Sequence, residues 1–199
     1  ALAAVAVAAL LAPGAATRDL TLMMVGGKTE QILYHREGRT ATVTVTRSEI
    51  DGVRQLFVNA VNEVSTRYVH DQSFSLLGHL GPLMHPDPEE ALVICHGAGL
   101  TAGAVASHPQ MQVTVVDLES RVVEAARSFS DLNGQLHENP RVHVVVEDGR
   151  NHLLTTDRRY DVITVDSTHP RAVDSWVLYT TQFYELASRR LDEDGIIVQ

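Results

Sequence analysis

ALVICHGAGLTAGAVASHPQMQVTVVDLE, residues Ala91 to Glu119, is the stretch from which the fold is read. An apolar run, Ala91 to Ile94, meets a turn bearing Gly97, Gly99 and Gly103. A short helical segment follows, and a second apolar run, Val113 to Val116, ends at Asp117. Strand, tight turn, helix and second strand with an acid at its tip is the layout of a nucleoside-binding βαβ unit. Glycine lets the backbone approach a ligand where a Cβ would collide, and free N–H groups at a helix start favour polar or anionic groups. A carboxylate at the second strand's tip can accept from both hydroxyls of a ribose. Gly97 and Gly99 are therefore candidate ligand-binding positions, and Asp117 is the candidate ribose contact.

Beyond Asp117 the alternation continues. Ser120 to Phe129 reads as a helix, Val142 to Val146 as a strand closed by Glu147-Asp148-Gly149, and Arg150 to Leu154 as a short helix. Tyr160 to Val165 is a fourth strand ending at Asp166, Leu178 to Leu191 a helix, and Ile196 to Val198 a fifth strand. Near-continuous apolar strands separated by helices predict a parallel sheet covered on both faces. Ligands of such a sheet bind beyond the strands' carboxyl ends. Asp117, Asp148 and Asp166 all fall on that edge. Each has two readings. Asp117 is read as a ribose contact and Asp148, with Gly149 beside it, as an adenine contact facing the exocyclic amine; the alternative for both is a helix cap or turn. Asp166 is placed to take a proton from a nucleophile or to hold an ammonium, and otherwise caps a turn before Pro170.

Ahead of this region, Gln31 to His35, Thr40 to Thr46 (TATVTVT) and Gln55 to Val58 read as strands, the second alternating like a half-buried one. They form a small antiparallel subdomain that needs a partner to cover its apolar face. His70 to Leu80 places Phe74, Leu76, Leu77 and Leu80 on one helix face, with Gly81-Pro82 as its stop. The proline-bearing His85 to Glu90 joins the parts, so the expected organisation is an apolar segment at 1–16, a β subdomain with linking helix at 17–84 and a Rossmann-like domain at 85–199. Ala1 to Ala12 is wholly apolar but shorter than the roughly 20 residues a membrane span needs. It reads as the end of a transmembrane helix, the core of a signal peptide, or a helix packed on the domain.

With 199 residues, 44% hydrophobic and 21% charged, the chain has the composition of an ordinary globular domain. Its formal charge of −9 disfavours a nucleic-acid partner and suits a cationic ligand. One cysteine, Cys95, cannot form an internal disulfide or a thiolate cluster, and the 10 histidines form no pair at metal-ligand spacing, so no metal is expected.

The segment YDVITVDSTHP, with LYTTQFYE after it, VVVEDGR and VVDLE before it, and the β subdomain ahead, resembles the polyamine aminopropyltransferases, the spermidine and spermine synthases. The turn sequence GLTAGA, Gly99 to Ala104, is most similar to bacterial spermidine synthase-like proteins in which this domain follows a transmembrane region. The resemblance covers about residues 30 to 199. It implies a class I S-adenosylmethionine-dependent methyltransferase fold, and transfer of an aminopropyl group from decarboxylated S-adenosylmethionine to a small amine such as putrescine. It implies Asp166 as general base, Asp117 on the ribose, Asp148 on the adenine, and His169, Gln72 and Tyr179 on the substrate side. A cytoplasmic domain, with attachment to the inner membrane through the N-terminal segment left open, and a homodimer are the expected setting. Several family acids are replaced. The family turn GGGDGG is here CHGAGL, with Ala98 for the aspartate that helps hold the amine of the aminopropyl group; His169 stands for a second aspartate, and Asn59 for the acid of an LDG segment. Methyl transfer from S-adenosylmethionine itself and a weakly catalytic adenosyl-binding domain are therefore the competing readings. Family members continue past the point where Gln199 falls, so the sheet's C-terminal part is expected to be truncated.

Overall fold

Two sheets organise the chain. The computed structural model describes residues 29–167 and 175–199, with the backbone alone over 68–71. Strands β1 (Glu30–Glu37), β2 (Thr42–Ser48), β3 (Arg54–Val58) and β4 (Val61–Ser65) form a sheet in the order β1-β2-β3-β4, every pair antiparallel. A two-residue turn joins β3 to β4, with φ of 49° at Asn59 and 63° at Ala60. This left-handed pair matches the twist of the flanking strands, and the Asn59 side chain accepts from Thr42 N at 3.0 Å.

The second part runs α1 (Tyr68–Met84), β5 (Glu90–Ile94), α2 (Leu100–Ala106), β6 (Gln112–Asp117), α3 (Ser120–Ala125), β7 (Val142–Val146), α4 (Gly149–Thr155), β8 (Tyr160–Val165), α5 (Thr181–Ser188) and β9 (Leu191–Val198). Its five strands are parallel in the order β7-β6-β5-β8-β9. Order reverses between β5 and β8, which opens a crevice at their carboxyl ends. One face of the sheet packs Ala91, Val93, Val115 and Val162 against Val105 of α2, and the other packs Leu92, Ile94 and Ile163 against Leu153 of α4 and Phe183 of α5. The expected covering of both faces is what these clusters show.

The first sheet finds its partner in α3 and the 3₁₀ turn that follows it: Val43, Val45, Leu56 and Val64 pack on Val122, Ala125 and Phe129. Polar contacts fix the same junction. Arg54 donates to both Asp131 carboxylate oxygens at 2.6 and 2.7 Å and to Ser128 O at 2.8 Å, and Tyr34 Oη donates to Glu124 at 2.8 Å.

Several boundaries differ from the sequence reading. Helix α1 passes through Gly81-Pro82 to Met84. Its inward face is Phe74, Leu77, Gly78, Gly81 and Pro82, not Leu76 and Leu80, which are 60% and 36% exposed. A Cβ at Gly78 would run into Thr101 O, and one at Gly81 into Val162, so close packing on α2 and β8 holds the helix across a proline that would stop it alone. Strand β2 is not half-buried, because Thr44 (3% exposed) and Thr46 (0%) are covered as fully as the valines. The expected helix Leu178–Leu191 is split: a 3₁₀ turn, Trp176–Tyr179, precedes Thr180, whose hydroxyl accepts from Phe183 N at 3.2 Å and starts α5 afresh. Residues from Ser120 pass from α3 into a 3₁₀ turn at Ala126–Phe129. Strand β9 starts at Leu191, earlier than expected. Ala1 to Ala12 lie outside the described residues, among which no helix is long and apolar enough to cross a membrane.

Candidate active site

Three strand tips converge where the sheet order reverses. At the end of β5, Cys95 takes φ of 73° and Gly97 φ of 51°. The left-handed region costs a residue with a Cβ about 1 kcal/mol, which glycine avoids at Gly97 and Cys95 does not. The turn aims the His96 N–H at β6, where it donates to Asp117 Oδ2 at 2.7 Å; Glu119 N donates to Asp117 Oδ1 at 2.9 Å. Each carboxylate oxygen has a second lone pair, so Asp117 is held by backbone and still able to accept from a ligand. Burial pushes its carboxyl up against the backbone hydrogen bonds that lower it. At the end of β8, Asp166 N donates to Ile94 O at 2.9 Å, which fixes the third acid beside β5. Burial, opposed by interaction with the Thr101 hydroxyl and reinforced by the charge of Asp117, raises the Asp166 carboxyl to about 7.

These tips floor a cavity of 190 Å³ whose opposite wall is the first sheet. Cys95, Gly97, Asp117 and Asp166 lie on one side; Thr40, Ala41, Leu56, Val58, Glu63 and Val64 face them, and Phe74, Leu118 and Val122 close the apolar flank. Glu119 ties the two sides together. Its Oε2 accepts from Thr40 N at 2.8 Å, Thr40 Oγ1 at 2.7 Å and Ala41 N at 3.3 Å, and its Oε1 from Arg121 N at 3.0 Å. Burial alone would raise this acid, but these bonds hold it at about 2. The Cys95 thiol records the local charge: burial first, then Asp117, Asp166, Glu63 and Asp148, raise its pKa well above the ordinary value. A space with apolar flanks and several carboxylates suits a ligand with a flat apolar ring and positive charge. Among the described residues no group of three or more His, Cys, Asp or Glu side chains is placed to hold a metal.

Of the residues singled out in the sequence, Gly97, Asp117 and Asp166 line the cavity. Gly99 starts α2 and faces away from it, where a Cβ would lie 3.0 Å from Asn133 Nδ2. Asp148 caps α4, its Oδ1 accepting from Asn151 N at 2.8 Å, and stands on the same sheet edge. Gly149 packs on β5, with room for no Cβ against Ile94 Cγ2. Gln72 is exposed on α1, and Tyr179 donates its hydroxyl to Ser167 O at 2.6 Å, bracing the turn after β8. His169 lies outside the described residues. The sequence reading missed Glu63, Glu119 and Phe74. Glu119 could have been suspected from its place just after a strand tip; Phe74 was read only as part of a helix face, and nothing local marked Glu63.

A doubly wound parallel sheet with a glycine turn at β5, an acid at the tip of β6 and a cavity over both defines a Rossmann-like fold of the methyltransferase type. Residues 71–199 match the family described as "Spermine/spermidine synthase domain", and the chain belongs to that family. It is 31% identical over 185 residues to the polyamine aminopropyltransferase of Moorella thermoacetica, covering 92% of this chain and 62% of that one. It is 38% identical over 127 residues to the polyamine aminopropyltransferase of Bacillus subtilis, covering 62% of this chain and 45% of that one. The chain therefore spans less than two thirds of the length of these relatives. Its fold is similar to that of spermidine synthase in complex with the transition state analogue AdoDATO (TM-score 0.76, 23% identity, 84% of this chain and 57% of the other). It is also similar to spermidine synthase from Thermotoga maritima (TM-score 0.73, 23% identity, 84% and 56%).

Proposed function

We propose that this chain is the core of an aminopropyltransferase that moves an aminopropyl group from decarboxylated S-adenosylmethionine to a small amine such as putrescine, with Asp166 as general base. The observation that carries the reading is the acid-walled cavity with Asp166 at its floor, its carboxyl at about 7. The names of its relatives, polyamine aminopropyltransferases, support the same reaction class.

The donor fits the residues. Its sulfonium and its ammonium are both positive, and Glu63, Asp117, Glu119 and Asp166 face the space they would enter. S-adenosylmethionine itself would bring a carboxylate into that space, which disfavours methyl transfer from it. Asp117 holds the ribose hydroxyls, Asp148 at the neighbouring strand tip faces the adenine amine, and Gly97 and Gly149 keep the backbone close. Gln72, His169 and Tyr179 belong to the acceptor side. An ammonium has no lone pair, so Asp166 takes its proton. The freed nitrogen attacks the carbon beside the sulfonium, the carbon–sulfur bond breaks with its electron pair going to sulfur, and neutral methylthioadenosine leaves. A carboxyl near 7 is matched to that task at neutral pH.

The full-length protein incubated with decarboxylated S-adenosylmethionine and putrescine should release methylthioadenosine. Asp166→Asn should lower turnover by about 10²–10⁴-fold while still binding methylthioadenosine. No product above a no-enzyme blank would overturn the proposal.

A further inference from the structure

Strict alternation along β4 would turn Glu63 to the face opposite Val64. The pairing with β3 breaks that alternation. Leu56 sits opposite Val64, but the next residue, Phe57, sits opposite Asn62, so Glu63 is the additional residue of a β-bulge. Glu63 and Val64 accordingly both line the cavity. A bulge beside a site re-aims a side chain toward it, and here it brings an acid in from the wall opposite the strand tips.

The two positions where related enzymes are expected to carry further acids cannot supply that charge. Ala98 is 2% exposed and accepts from Asn133 through its carbonyl at 3.0 Å. Asn59 sits in the tight turn after β3 with its side chain on Thr42 N.

We propose that Glu63 is the specificity-determining acid of this site: carried into the cavity by the β4 bulge, its carboxylate pairs with the terminal ammonium of the donor's aminopropyl tail in place of the acid missing at Ala98. The inference rests on the aminopropyl-transfer reading. Its charge reaches the right place, since Glu63 is among the carboxylates that act on the Cys95 thiol at the tip of β5.

Calorimetry on the full-length protein separates the two ideas. The probes are decarboxylated S-adenosylmethionine and methylthioadenosine, which lacks both the tail and its charges. Glu63→Gln, which keeps the shape and removes the charge, should weaken the decarboxylated donor by about 10- to 100-fold, the range for a charge-assisted pair, and leave methylthioadenosine binding unchanged. Glu63→Asp should retain part of the preference. Equal weakening of both ligands would reveal a structural role and overturn the assignment, as would an unchanged affinity for the donor. If the wild type binds methylthioadenosine but not the decarboxylated donor, the aminopropyl-transfer reading itself falls.

Discussion

As the proposed base, Asp166 would meet opposite demands from catalysis and from stability. Burial is the largest reason its carboxyl rises to about 7. A base acts only when unprotonated, so kcat/KM should climb with pH and level off above about 7; a rate profile flat across that value would exclude Asp166 as the base. For stability the sign reverses. The folded carboxyl binds its proton more tightly than the ordinary value of 3.8, so the group's contribution is fully present below about 4 and is lost as pH rises through about 7. Asp166→Asn is therefore expected to lose that turnover yet to melt several degrees higher than the wild type at pH 8, the gap closing as pH falls toward 4. Thermal melts at several pH values read this directly. Asp117 and Asp166 were legible in the sequence because an acid ending an apolar strand has few places to go. Glu63 was not, because the direction of its side chain depends on a bulge set by pairing with β3.

At the scale of elements, the cavity exists because the first sheet is clamped over the second. Glu119 carries much of that clamp, with Oε2 on the Thr40 amide, the Thr40 hydroxyl and the Ala41 amide. Its carboxyl, held at about 2 against an ordinary 4.5, contributes stability that is present above about 4.5 and lost as pH falls toward 2. Glu119→Ala should cost about 2–4 kcal/mol at neutral pH through the orphaned N–H groups. Amide exchange at Thr40 and Ala41 should accelerate ahead of that in β5 and β6; unaltered exchange there would show that the apolar contact of Val43 and Val45 with α3 suffices. Element boundaries were the least legible feature of the sequence. Gly81-Pro82 looked like a helix stop, and packing of Gly78 and Gly81 against α2 and β8 overrode it. The break at Thr180 was hidden by the continuous apolar pattern around it.

For the molecule as a whole, one ligand should touch both sheets, so binding should stabilise them together. Methylthioadenosine at 100 times its Kd is expected to add about 2.7 kcal/mol, with exchange protection in β2 to β4 as well as at the tips of β5, β6 and β8. Protection confined to the parallel sheet would mean that the first sheet does not contribute to the site. By itself the sequence determined the parallel sheet, its five strands, three of the four strands of the antiparallel sheet ahead of it and the acids at the strand tips, because apolar period and strand-end residues are local properties of the chain. Only the tertiary structure decided which of those acids share a cavity, that Glu119 spends its charge on a hairpin from the other sheet, and that Glu63 turns inward. Each of these depends on where a distant segment lies, and no local pattern encodes that position.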